Sequence, residues 1–67
     1  MEGTIKIGSR VRLTEKQEMP GYRDFEAGHE FRVYGSEGMR GWNLIDDEGF
    51  RLDETVMISH KIELVSP

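Results

Sequence analysis

Apolar and polar residues alternate in short stretches along this chain, and no window repeats apolar residues at helical spacing over three turns. Arg10-Val11-Arg12-Leu13-Thr14 alternates strictly, which predicts a half-buried strand with Val11 and Leu13 inward. Ile5 and Ile7 continue that spacing and either extend the strand or cover an open barrel end. Glu30-Phe31-Arg32-Val33-Tyr34 alternates again, Trp42-Asn43-Leu44-Ile45 follows, and Phe50-Arg51-Leu52 is its return partner. Ile62-Glu63-Leu64-Val65 reads as a last strand, while Val56-Met57-Ile58 is apolar without clear patterning. Five strands in so short a chain predict a small all-β barrel, since closure is how a small sheet removes its edges. Phe25, Phe31, Val33 and Leu64 are the expected core.

The segments between the strands carry their own signals. Glu15–Ala27 is a long polar loop broken by Pro20-Gly21, and its Met19, Tyr22 and Phe25 predict that it folds back onto the barrel. Gly35, Gly38 and Gly41 punctuate a second connection. Asp46-Asp47-Glu48-Gly49 reads as a hairpin turn with glycine where positive φ is tolerated.

Together these pieces resemble an SH3-type barrel from about Val11 to Val65. Phe25-Glu26-Ala27-Gly28-His29-Glu30 is similar to the diverging turn of that family, Phe-x-x-Gly-Asp/Glu, with His29 where an acid is commonest. Trp42 resembles the tryptophan that follows the family's second loop, and Gly49 the glycine of the next hairpin. Ile58–Val65 resembles the short helical turn and final strand. The resemblance implies a five-stranded barrel with a long first loop, spanning residues 1–67 as one domain. Its proline-ligand residues do not carry over. Leu13-Thr14-Glu15-Lys16 has no tyrosine, and Ile58-Ser59-His60-Lys61 has no proline and a lysine where the tyrosine belongs. A polyproline helix needs rigid aromatic walls, and only Trp42 and Tyr22 offer them.

Candidate chemistry is sparse. His29 and His60 have no nucleophile-elbow serine to serve, and Ser9, Ser36 and Ser59 sit in ordinary turn contexts. Asp46, Asp47, Glu48, Asp53 and Glu54 match no calcium loop, so neither a metal nor another cofactor is expected. Trp42 is read either as core edge, since it shares a face with Leu44, or as a ligand platform. Arg10, Arg12, Arg32 and Arg51 fall on outward strand positions and form a basic strip if their strands are neighbours.

Charge bears on the choice of partner. The 13 acids and 9 bases give a net charge of −4. Residues 1–40 balance seven acids with seven bases, whereas 41–67 set six acids against Arg51 and Lys61. An acidic surface opposes non-specific phosphate binding, and the glycine-rich opening of KOW-type nucleic-acid barrels is absent. The chain has no cysteine, so no disulfide supports its small core, and self-association is one way to add stability. The absence of a signal pattern and of a long apolar run points to a cytoplasmic setting away from membranes. The leading expectation is a non-catalytic protein-interaction or accessory module with Tyr22, Tyr34, Arg40 and Trp42 as contacts. A nucleic-acid barrel using the outward arginines is the alternative, and an enzyme assembled at an oligomer axis is third.

Overall fold

Strand pairing in the computed structural model, which describes residues 5–53 and 55–67, follows the alternation of the sequence. The strands are β1 (Arg10–Leu13), β2 (Glu30–Ser36), β3 (Trp42–Ile45), β4 (Arg51–Leu52) and β5 (Ile62–Ser66). Two 3-10 turns, Gly38–Arg40 and Thr55–Lys61, lie before β3 and before β5. All pairings are antiparallel and give one sheet in the order β4-β3-β2-β1-β5. The chain is all-β as expected, with one five-stranded antiparallel sheet, and among the described residues no ladder joins β4 to β5. The segment between those strands is taken up by the second 3-10 turn.

Register explains the core. Val11 stands opposite Phe31 and Leu64, Val33 opposite Leu44, and Leu44 opposite Leu52. With a side-chain period of two, these positions share the inward face. Val11, Leu13, Phe25, Phe31, Val33, Leu44 and Leu52 are buried together. Leu64, expected in the core, is only half-buried, because among the described residues β5 is an edge strand with a neighbour on one side. Phe50 likewise precedes β4 rather than opening it and packs half-buried against the core.

Ile5 and Ile7 part company. The Lys6–Ser9 turn, closed by the Ser9 N–H to the Lys6 carbonyl at 2.9 Å, leaves Ile5 against the core and Ile7 in solvent. The long loop folds back as its apolar residues require. Gln17 and Phe25 exchange two backbone hydrogen bonds of 2.8 Å, and the Tyr22 N–H donates to the Met19 carbonyl across Pro20-Gly21. That is the turn expected of proline followed by a positive-φ glycine. Phe25 is completely buried edge-on to Phe31, with centroids 5.1 Å apart. Arg23 covers the Phe50 ring at 4.2 Å and pairs with Glu48 at 3.3 Å, tying the loop to the β3–β4 hairpin.

Candidate functional site

Three surfaces bring the chemically capable residues together. The first lies where the glycine-rich connection meets the second 3-10 turn. Gly41 has φ +101, and a Cβ there would stand 2.6 Å from both the Thr55 hydroxyl and the Val56 nitrogen. Only glycine lets the two turns abut at that distance. Thr55 is buried and its hydroxyl accepts the Trp42 N–H at 2.8 Å, which fixes the start of β3 against the second turn. Met39, Met57 and Val56 are then left 96%, 80% and 49% exposed, beside a Trp42 half-buried on the core. Arg40 lies on the same connection and is exposed. Trp42 is therefore a core-edge residue, half-buried against the core. The alternation in the sequence pointed to Trp42 but gave no reason to single out Met39 or Met57.

The second surface is the outward face of the sheet. Arg10 stands directly opposite Arg32, Arg32 opposite Ile45, and Ile45 opposite Arg51, so one row crosses four strands. The next row places Arg12 opposite Glu30 and Glu63. Arg10 binds Glu30 at 3.2 Å and Asp47 at 3.6 Å, and Arg12 binds Glu63. Hydrogen bonding and the charge of Glu63 hold the Arg12 guanidinium above its ordinary pKa. Arg51 is likewise raised, first by its interaction with Tyr34, whose hydroxyl donates to Asp53 at 3.2 Å, and then by the charge of Asp53. The four arginines thus do occupy one face, and carboxylates are interleaved among them. Tyr22 sits elsewhere. Its hydroxyl accepts the Arg51 N–H at 2.7 Å, and its ring lies edge-on to Phe25 and Phe50 at 6.1 and 6.0 Å. This half-exposed tyrosine, expected as a partner contact, pins the loop to β4.

The third is an open pocket of about 240 Å³ lined by His29, Glu30, Asp46, Asp47 and Glu48. Asp46 is its organising group, with a side chain only 2% exposed. One carboxylate oxygen accepts the N–H groups of Glu48 and Phe50 at 3.0 and 2.8 Å, and the other pairs with His29 Nε2 at 2.9 Å. Burial pushes the carboxyl pKa up, but the hydrogen bonds from His29, Phe50 and Glu48 outweigh it and leave the group below its ordinary value. An ionised carboxylate only accepts, so His29 Nε2 carries the hydrogen in this pair. The lining contains no serine, threonine, cysteine or lysine for His29 to activate. Glu30, Asp47 and Glu48 are engaged by Arg10 and Arg23. Among the described residues no three acidic, histidine or cysteine side chains are grouped to hold a metal. Glu54, counted in the acidic run, lies outside the described residues. His60, the other histidine, is exposed in the second 3-10 turn.

The hairpin cap was legible, because aspartate at the start of a tight turn hydrogen-bonds its own backbone two residues on. Its link to a histidine 17 residues earlier was not. No helix among the described residues is long and apolar enough to cross a membrane. No protein-family model, curated protein or solved structure matches this chain.

Proposed function

We propose that the chain is an SH3-like small barrel that works as a non-catalytic protein-interaction or accessory module. The observation that carries this reading is the apolar patch at the junction of the two 3-10 turns. Met39 and Met57 project almost fully into solvent there, although a chain this small gains stability from every apolar side chain it buries. Methionine is adaptable and polarizable, and it recurs on surfaces that dock apolar partners. Half-buried Trp42 follows directly on the first of these turns, and Arg40 within it adds the side-chain type enriched in interface anchors. A nucleic-acid role has less behind it, since Arg10 and Arg12 are already engaged by carboxylates.

Affinity purification from the native host with the untagged chain, compared with a Met39→Glu/Met57→Glu double variant, tests the reading. Both side chains are exposed, so the variant folds and its circular dichroism matches the wild type. The expected result is a protein partner retained by the wild type and lost by the variant. Equal recovery from both, or recovery of nucleic acid alone, would overturn it.

A further inference from the structure

The geometry points to a second contact surface, the outward face of β2–β4, which takes an extended acidic segment of a partner protein through Arg32 and Arg51. It uses none of the residues of the methionine patch.

The inference begins with register. Arg32 stands directly opposite Arg10, a placement of like charges that weakens a sheet unless each finds a counter-charge. Arg10 has two, Glu30 and Asp47. Arg12 has Glu63, and Arg51 lies near the charge of Asp53, whose carboxylate accepts the Tyr34 hydroxyl. Arg32 has neither a carboxylate nor a hydroxyl partner among the described residues. One guanidinium in the centre of the sheet therefore faces solvent uncompensated, next to one of its own kind.

Its surroundings define the ligand. Ile45 lies between Arg32 and Arg51 in the same cross-strand row and is half-buried, while Tyr34 follows Arg32 on the same face and is 40% exposed. The surface is thus two guanidinium forks separated by an aliphatic floor and bordered by a phenol ring. A guanidinium binds a carboxylate through two parallel hydrogen bonds. Arg32 and Arg51 are two strands apart, about 10 Å along the sheet. In an extended peptide, alternate side chains on one face repeat every ~7 Å, a gap that arginine side chains close by leaning inward. Acidic residues two apart reach both forks, and the backbone between them crosses Ile45. Glu30, Asp47 and Asp53 flank the row, so a continuous polyphosphate meets repulsion on both sides. An extended peptide that sets only two carboxylates over Arg32 and Arg51, with an uncharged residue between them, brings less negative charge near those acids.

The test uses a fluorescently labelled peptide of alternating glutamate and valine, its glutamine-for-glutamate counterpart, and a single-stranded DNA oligomer. Anisotropy gives the affinities, and backbone amide shifts on the wild type locate the site whether or not any variant folds. The glutamate peptide should bind and shift Arg32, Tyr34, Ile45 and Arg51. The glutamine peptide and an Arg32→Gln variant should each weaken binding about tenfold or more, and added salt should weaken it further. Arg32→Lys, which keeps the charge and loses the fork, should fall between. Arg12→Gln and the Met39→Glu/Met57→Glu variant should leave the affinity unchanged, which separates this proposal from the one above. Absence of peptide binding, equal binding of the glutamine peptide, indifference to Arg32→Gln, or stronger binding of the DNA oligomer would each overturn it.

Discussion

Replacing Asp46 with alanine removes a single carboxylate that closes three hydrogen bonds joining two distant parts of the chain. One oxygen holds the β3–β4 hairpin through the N–H groups of Glu48 and Phe50, and the other holds His29 in the turn that feeds β2. Hydrogen bonds to a charged group contribute about 1.5–3 kcal/mol each when buried. Glu48 is exposed and Phe50 half-buried, so their freed N–H groups regain water, and about 1 kcal/mol apiece is the fair figure. The His29 contact is closed off on the Asp46 side and adds about 1.5 kcal/mol. The expected loss is about 3–4 kcal/mol, against a total of roughly 3–10 kcal/mol for a chain of this length. At about 4–8 °C per kcal/mol, the melting temperature falls by about 12 °C or more.

Asparagine at the same position separates geometry from charge. Its carbonyl oxygen keeps the two hairpin bonds, and its amide donates to His29 in the other tautomer, so the expected cost is only about 1 kcal/mol. Urea unfolding followed by Trp42 fluorescence measures all three proteins. The folded state lowers the Asp46 pKa below its unfolded value. Its contribution is therefore complete above the unfolded value of about 3.9 and is lost as pH falls through the folded value. The advantage of wild type over Asp46→Ala should be full at neutral pH and shrink in acid. An alanine variant within about 0.5 kcal/mol of wild type, or an asparagine variant as damaged as the alanine one, would refute the account.

Two further substitutions probe the joints between elements. Gly41→Ala combines a positive φ with a Cβ 2.6 Å from the Val56 backbone nitrogen, whereas Gly49→Ala at φ +91 meets open space. The first should cost about 2–4 kcal/mol and the second about 1–2, and equal losses in chemical denaturation would show that the two 3-10 turns do not abut. Tyr22→Phe removes only the acceptor for the Arg51 N–H, so about 1 kcal/mol of stability and the exchange protection of that amide should go together. Unchanged exchange at Arg51 would refute the pin.

Where each strand falls was legible because one face of the sheet is buried and one is not. Val11, Leu13, Phe31, Val33 and Leu44 are buried at the positions that alternation marks, since a slip of one residue would turn each of them into solvent. The Leu64 error has the same origin. Alternation fixes which face a side chain occupies but carries nothing about how many neighbours its strand has, and among the described residues β5 pairs with β1 alone. Helical periodicity was equally silent about Thr55–Lys61, where a kink at Ile58 interrupts the turn and no face repeats. The candidate surfaces show the same division. A count along the chain separates a balanced first part from an acidic second part, but antiparallel pairing folds one onto the other. Arg10 meets Asp47, Arg12 meets Glu63 and Arg23 meets Glu48, each pair joining residues at least 25 positions apart. The net charge therefore describes no part of the surface. The register decides which arginines meet a counter-charge, and a composition in which acids outnumber bases still leaves Arg32, in the middle of the sheet, without a carboxylate among the described residues.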